Sequence, residues 1–258
     1  MHLRKDHAED DISVLQKFVH DNPLGILTTA IKSTDHAFIQ SSHIPFVLDL
    51  DANDDSSPGI LRGHIAKQNP QAKALMEALA HQQTQDPDSL ELPDEVLILF
   101  NGPHNHYVTP KFYTETKPAS GKVVPTWNYS AVQAYGKIKV YCDSKAPETG
   151  AFLQRQVEDL SRHAERDIMG YTGGEKPTAW GVDEAPVPYV ELLKKNIIGI
   201  EVRAERLQGK FKMSQEMRKG DREGVVKGFE GLGTEVGDGM ARTVRERGEL
   251  KDCIGEHR

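Results

Sequence analysis

Apolar residues recur with helical spacing in five segments of this chain, and most of these segments are bounded by residues that suit a helix end. In the first segment, Leu15, Phe18 and Val19 share one helical face that follows the capping pair Asp10-Asp11. The pattern predicts helices over residues 10–22, 69–81, 147–162, 186–195 and 221–230.

Two other patterns predict β-strands between these helices. Glu95–Phe100 (EVLILF) is a continuous apolar run, typical of a strand buried on both faces. Tyr135–Tyr141 alternates polar and apolar residues, typical of a strand with one face in water. Further strands are predicted at 24–31, 36–40, 44–48, 59–66 and 197–207, with 209–214 continuing after a turn. The chain is therefore expected to mix helices and strands.

A long block from Asn101 to Tyr135 separates the two strands described first. It is dense in proline, tyrosine, histidine and hydrogen-bonding side chains, and it contains Trp127. A loop that only connects two strands does not need so many side chains that stack on rings or form hydrogen bonds, so the block is a candidate binding loop. The alternative is a rigid loop that core aromatics hold in place.

Three polar segments fall outside the predicted elements. The acidic stretch 49–58 superficially suggests a calcium loop, but its sixth and twelfth positions hold Asp54 and Ile60 where an EF-hand requires glycine and glutamate. Residues 82–93 are interpreted as an exposed insertion. Residues 231–258 are rich in glycine and charge, which predicts a flexible tail after a single domain at 1–230. The GLGTEVG run in that tail follows a helix rather than a strand, which excludes a dinucleotide fingerprint.

Composition narrows the class of protein. The 258 residues carry a net charge of −7 with 37% hydrophobic content, as in an ordinary soluble globular protein. No apolar run approaches the ~20 residues that span a bilayer, and the charged N-terminus lacks a signal core. The two cysteines form neither a metal spacing nor a disulfide framework, so the cytoplasm is the expected compartment. An acidic chain without a concentrated basic stripe makes direct DNA binding unfavourable.

Long words of this sequence resemble one known family. They are SSHIPFVLDL, LRGHIAKQNPQ, GPHNHYVTPKFY, GKVVPTWNYSAVQAYGKIKV and GKFKMSQEMRKGDREGVVKGFEG, in that order between Leu3 and Gly231. Through these segments the chain resembles the FMN-binding negative transcriptional regulator family, whose members are also called PaiB-like proteins.

The resemblance implies a fold and a cofactor. It implies an α+β fold: an FMN-binding split β-barrel of about six strands, predominantly antiparallel, with flanking helices. It also implies a homodimer with FMN at the interface of the two chains.

An FMN site needs phosphate donors, hydrogen bonds to the polar edge of the flavin and flat neighbours for its ring. Candidate residues for these three tasks lie in the family-like words. Those near the phosphate are Ser42, Leu61, Arg62 and Gly63, with His43 and His64 in the same words. Those near the flavin are Pro125, Thr126, Trp127 and Asn128, with Lys212, Ser214 and Gln215 as a second polar cluster, and Lys122 is a candidate for either the phosphate or the anionic edge of the flavin. The alternatives are an ion pair for Arg62 on the strand surface and a packing role for Trp127.

The histidines do not predict a metal site. His104 and His106 have the i, i+2 spacing that places two side chains on one face of a strand, but no third ligand is visible. Histidines that simply hydrogen-bond the loop are the preferred interpretation. Haem is an alternative cofactor, because the wider class of split barrels includes haem-binding members.

Three functional hypotheses follow. The first is an FMN-binding homodimer with flavin-dependent oxidoreductase activity on a small molecule. The second is a PaiB-like negative transcriptional regulator, and the third is a haem-binding or haem-degrading protein. The sequence does not identify catalytic residues or the substrate.

Overall fold

The computed structural model describes residues 1–255, which form seven α-helices and nine β-strands. The helices are α1 (Ile12–Asp21), α2 (Pro70–Gln83), α3 (Thr116–Ser120), α4 (Pro147–His163), α5 (Val187–Lys194), α6 (Lys219–Glu230) and α7 (Glu235–Gly255). The strands are β1 (Ala8–Glu9), β2 (Leu24–Ala30), β3 (Ile39–Pro45), β4 (Val47–Asp49), β5 (Ile60–Ala66), β6 (Glu91–Asn101), β7 (His106–Val108), β8 (Thr126–Tyr141) and β9 (Ile197–Lys212). Short 3₁₀ turns occur at Pro110–Phe112 and Val182–Glu184, and a π-helical turn occurs at Ala164–Ile168.

The chain divides into two compact units. The first unit comprises 1–11, 101–132 and the described residues from 208 onward, and the second comprises 12–100 and 133–207. The divisions fall inside the long strands β8 and β9, so each of these strands contributes residues to both units.

The second unit contains an antiparallel sheet with flanking helices. Its strands follow the order β3-β2-β6-β8-β9-β5-β4. β2 pairs antiparallel with β3 and β6, and β5 pairs antiparallel with β4 and β9. The apolar run of β6 supplies the fully buried Ile98 and Phe100, and α1 contributes Leu15 and Val19 to the buried residues of this unit. Removing this apolar area from water is the main favourable term for the unit.

Helix α2 is fixed to the sheet by one buried amide. Gln71 Nε2 donates to the carbonyl oxygens of Leu27 and Gln40, at 3.1 and 3.2 Å. Asn69 caps the helix by accepting a hydrogen bond from the Gln71 backbone N–H. The residues around β3 are therefore held by α2 as well as by strand pairing.

The first unit packs two helices near two short strand pairs. β1 pairs with Gly209 and Lys210 of β9, and β7 pairs with the first residues of β8. Phe229 of α6 is fully buried and contacts the rings of His106 and Phe112 edge to face. A Cβ on Gly228 would lie 2.3 Å from Cδ1 of Phe112, so the close approach of α6 to this ring requires glycine there.

The structure differs from the sequence predictions in several elements. The strand predicted at 36–40 lies at Ile39–Pro45, because residues 39–45 pair along the whole length of β2. The predicted loop of 101–135 contains β7, α3 and the first residues of β8. β9 runs without a turn at 207–209, because Gly209 pairs with Glu9.

The flexible tail predicted at 231–258 was wrong for most of its length. Helix α7 occupies Glu235–Gly255, and Met240, Ala241 and Val244 are buried on one of its faces. Glycine content and charge suggested flexibility, but burial of this stripe stabilises the helix. The insertion expected at 82–93 is also shorter, because α2 continues to Gln83 and β6 begins at Glu91.

The helices of residues 1–255 include none that combines the length and the apolar character needed to cross a membrane. The prediction of a single domain over residues 1–230 stays a prediction.

Candidate functional site

An exposed tryptophan is held rigidly at the start of β8. Side chains alternate along this strand, so Asn128 and Ser130 are buried while Trp127 is 50% exposed. The indole N–H donates to Asn105 Oδ1 at 3.1 Å, and the ring meets Tyr107 edge to face at 6.2 Å. Two contacts therefore fix a large flat apolar surface that faces solvent.

A cavity of about 350 Å³ lies beside this tryptophan. It is lined by Asn101, Gly102, Asn105, Trp127, Tyr129 and Ser130. Its size falls within the range of small-molecule sites, which is about 300–1,000 Å³. The lining combines aromatic faces with amide and hydroxyl groups, which suits a planar ligand with polar edges.

Lys212 places a positive charge at the same strand end. Its ammonium donates to the Thr126 hydroxyl and, at 3.0 Å, to the Trp127 carbonyl oxygen. An ammonium has three donors, so one remains for an anionic ligand. The structure thus brings together the predicted residues Thr126, Trp127 and Lys212.

Ser214, two residues after the end of β9, has a strained backbone. Its φ of 58° lies in the left-handed region, which non-glycine residues seldom adopt. Its hydroxyl lies 3.0 Å from Asn128 Nδ2, and both side chains are buried. Strain of this kind persists where the surroundings enforce it, and it concentrates near functional sites. Because they are buried, Asn128 and Ser214 are suited to positioning β8 and β9 rather than to direct contact with a ligand.

The side chain of Gln215 also forms hydrogen bonds to the protein's own backbone. Its side-chain oxygen accepts from the Met213 backbone N–H at 2.7 Å, and its amide nitrogen donates to the Phe211 carbonyl oxygen. Lys122 and Pro125, in contrast, are exposed in the segment between α3 and β8. Of these three predicted residues, Lys122 is the one that carries an exposed positive charge, and it lies close to β8 in the sequence.

Arg62 lies in the second unit and is engaged by carboxylates. Its guanidinium donates to Asp49 at 2.6 and 2.8 Å, to Asp159 at 2.7 Å and to Gln156 at 3.2 Å. Burial acts to lower the pKa of Arg62, but hydrogen bonds and charge from Asp49 and Asp159 raise it overall. The residue is 1% exposed. A phosphate here would compete with two carboxylates, so the assignment of Arg62 to phosphate binding stays a prediction without support from its contacts.

The other predicted residues of the second unit have varied surroundings. Ser42 accepts a hydrogen bond from Asn69 Nδ2 at 3.1 Å, and His43 is exposed on β3. Leu61 and Gly63 are buried within β5, whose backbone pairs with β4 and β9. Leu61 and Gly63 therefore have a structural role in the sheet.

His64 has one buried nitrogen without a protein partner. Its Nδ1 forms no hydrogen bond with the described residues, and burial lowers the pKa of the imidazole. A neutral ring with a free nitrogen suits either a bound water or a polar ligand.

The two histidines of the central block have packing roles. His106 lies against Phe229 at 5.5 Å between ring centres, and its Nδ1 donates to the Tyr107 carbonyl oxygen at 2.8 Å. The ring of His104 fills the space next to Gly239 of α7, where a Cβ would lie 2.2 Å from Cδ2. These contacts agree with the interpretation that the pair serves the loop rather than a metal.

Residues 1–206 match the sequence model of a family described as "Putative FMN-binding domain". The chain belongs to this FMN-binding family.

The similarity extends to curated relatives and to a solved structure. An uncharacterised protein of Aspergillus fumigatus is 73% identical over 98% of this chain and 99% of its own length. The Bacillus subtilis protein named protease synthase and sporulation protein PAI 2 is 25% identical over 88% of this chain and 87% of its own length. The crystal structure of the conserved hypothetical protein Rv2991 from Mycobacterium tuberculosis covers 84% of this chain and 94% of its own, with 13% identity and a TM-score of 0.47.

The family match and the Bacillus subtilis relative confirm the resemblance read from the sequence. The family match and the antiparallel sheet with its flanking helices also confirm the predicted fold class. Sequence reasoning missed Asn105 and Tyr107, which hold Trp127 in place in this member of the FMN-binding family. Their place within the segment GPHNHY was the available signal, but only the β7–β8 register shows that Tyr107 pairs with Trp127.

Proposed function

We propose that this protein is a flavoprotein that binds FMN as a homodimer and uses the flavin to oxidise or reduce a small molecule. The observation that carries the proposal is the half-exposed Trp127, fixed beside Lys212 in a chain of the FMN-binding family. Exposing a large rigid aromatic face to water is unfavourable, and a planar ligand that covers it gains that apolar area.

The residues of the first unit fit the three needs of FMN. Trp127 and Tyr107 offer the flat surface for the ring. The remaining donor of Lys212 suits the phosphate or the electron-rich edge of the flavin, and the exposed Lys122 offers a second positive charge. The bound flavin would supply the redox chemistry, and the protein would supply position and electrostatics.

The buried residues behind this surface act as supports in the proposal. The Asn128–Ser214 pair holds β8 against the turn after β9, so that Lys212 and Trp127 keep their mutual position. Arg62 is not needed as a phosphate ligand, because it is buried and four of its five N–H donors are already used. Ser42, His43 and His64 remain candidates for polar contacts to the cofactor.

The decisive experiment is an FMN titration of the full chain, followed by tryptophan fluorescence and the absorption spectrum. We expect Trp127→Ala to raise the Kd for FMN by about tenfold or more, because the ring contact is lost. Trp180→Ala is the matched control, since this other tryptophan is 44% exposed and belongs to the second unit. Equal Kd values in all three proteins would contradict a site at Trp127, and absence of flavin binding would contradict the whole proposal.

Two companion measurements separate the alternatives. Sedimentation with and without FMN tests the homodimer, because a ligand that binds the dimer opposes dissociation by mass action. A Soret band in the purified protein would instead favour haem. FMN should bind more tightly than FAD, because the chain has no dinucleotide loop.

A regulatory function is the second candidate, and one observation favours it. The Bacillus subtilis relative carries the name of a protease synthase and sporulation protein. Retention of a specific DNA fragment at physiological salt, together with no flavin-dependent turnover, would favour this alternative.

A further inference from the structure

Two histidines and one aspartate converge in the second unit. His20 lies in the last turn of α1, His163 ends α4, and Asp167 lies in the π-helical turn that follows. His163 Nδ1 is 2.8 Å from Asp167 Oδ2, and His20 Nε2 is 3.6 Å from the same oxygen. One ligand atom from each residue lies within 4.8 Å of the others.

The backbone is unusual at this point. The Met169 N–H donates to the Ala164 carbonyl oxygen in an i→i+5 bond of 2.9 Å, which makes the turn π-helical. Such turns are rare, and they occur frequently at functional sites. Here the turn carries Asp167, whose carboxylate oxygen Oδ2 is near one nitrogen of each imidazole.

The surroundings of His163 favour a ligand over a purely structural ring. Its side chain is 11% exposed, and its Nε2 is buried with no hydrogen-bond partner among the described residues. A water bound at Nε2 would satisfy that nitrogen and leave Nδ1 as the ligand atom. Here the polar contact is made by Nδ1, on the side of Asp167.

A cavity of about 580 Å³ opens next to the three side chains. Three arginines, Arg155, Arg162 and Arg166, also line it, and the first two pair with the carboxylate of Asp159 at 3.4 and 2.5 Å. Three carboxylates, those of Asp49, Asp159 and Asp167, line the same cavity and match the arginines in number, so repulsion of a cation is reduced. The cavity leaves space for water on the open side of an ion.

We propose that His20, His163 and Asp167 bind a divalent transition-metal ion of the Zn²⁺ type. Two imidazoles and one carboxylate are a donor set that proteins use for Zn²⁺ and Fe²⁺, with an open position for water. Tetrahedral Zn²⁺ places its ligand atoms about 3.3 Å apart, so small side-chain rotations would widen the 2.8 Å distance and shorten the 3.6 Å distance to that value. The ion would link the end of α1 to the end of α4.

The test uses the full chain without a histidine tag, freed of metal by a chelator and titrated with Zn²⁺ and Co²⁺ by calorimetry and visible absorption. We expect one ion per chain and a Co²⁺ spectrum of nitrogen and oxygen ligands without a thiolate band. His20→Ala and Asp167→Asn should each raise the Kd by about tenfold or more. Both side chains are about half exposed, so these variants are expected to fold.

His36→Ala is the matched control, because His36 lies 3.7 Å from Glu77 in a pair that lacks a second imidazole. Its metal affinity should equal that of the wild type. Zn²⁺ should also raise the melting temperature of the wild type and of the control, but not of the two site variants. Absence of saturable binding, or equal affinity in all four proteins, would overturn the proposal.

Discussion

Arg62 and Lys212 are both basic side chains on strands of the sheet, but the structure gives them different surroundings. Arg62 is buried, and two carboxylates and an amide use four of its five N–H donors. Lys212 is partly buried and contacts one hydroxyl and one carbonyl oxygen, which leaves a donor for a ligand. Burial and partners, rather than residue type, thus decide which of the two charges can bind an anion.

Replacing Arg62 should therefore affect stability more than ligand binding. We expect Arg62→Met to lower the free energy of unfolding by about 3 kcal/mol, because Asp49 and Asp159 lose their partner in a partly buried position. Urea denaturation measures the change. Arg206→Met removes an exposed pair with Glu95 and should cost under about 1 kcal/mol. Equal costs for the two variants would show that the Arg62 network adds nothing beyond a surface ion pair.

Asp159 makes part of this stability depend on pH. Burial acts to raise its pKa, but hydrogen bonds and charge from Arg62 and Arg162 lower the pKa below the ordinary value. A carboxylate with a lowered pKa in the folded state contributes stability above its unfolded pKa of about 3.9, and this contribution is lost as pH falls through the folded pKa.

We expect the wild type to exceed Asp159→Asn in free energy of unfolding at pH 7 and at pH 5, and this difference to shrink below about pH 4. Denaturation curves at three pH values measure it. Asp88→Asn, an exposed change in the 82–93 segment, should follow the wild type throughout. A difference that stayed constant down to the lowest pH would contradict the assigned role.

At the scale of elements, α7 shows how packing can stabilise a segment that appears flexible by composition. Its buried stripe of Met240, Ala241 and Val244 accompanies buried residues of α6, among them Val225 and Phe229. An ion pair of 2.6 Å between Arg245 and Glu230 also joins the two helices. A helix of 21 residues with many charges needs such tertiary contacts to persist.

Met240→Ala should therefore lower the free energy of unfolding by about 2–5 kcal/mol, because it removes buried volume next to α6. Leu250→Ala, on the same helix but 54% exposed, is the control and should cost under about 1 kcal/mol. Chemical denaturation of both variants measures the difference. Small and equal effects would mean that α7 is not packed in solution.

At the scale of the whole molecule, charge limits the choice of partners. The net charge of −7 opposes contact with a polyanion unless basic residues collect on one face. A function built on direct DNA recognition is therefore less favourable than one built on a small anionic cofactor, for which one or two lysines suffice.

We expect DNA binding by the isolated protein to be weak, without sequence preference and strongly reduced by salt. Fluorescence anisotropy with specific and scrambled duplexes at two salt concentrations measures this. Nanomolar binding that discriminates between the duplexes at physiological salt would contradict the expectation and favour the regulatory alternative.

The sequence by itself determined the elements whose pattern is local. The apolar spacing around Leu15 and Val19 and the run EVLILF correspond to α1 and β6, because helix and strand geometry fix which neighbouring side chains share a face. The long family-like words likewise sufficed to identify the FMN-binding family and its fold class.

Only the tertiary structure decided the roles of single polar residues. Asp159 is 97 positions from Arg62, and His163 is distant in sequence from His20, so no local sequence pattern predicts that either pair of residues is in contact. Such contacts depend on which distant segments the fold brings together. The apolar pattern of α7 is similarly weak in the sequence. It could be recognised only with α6 beside it, because burial requires a neighbouring element and does not follow from apolar spacing alone.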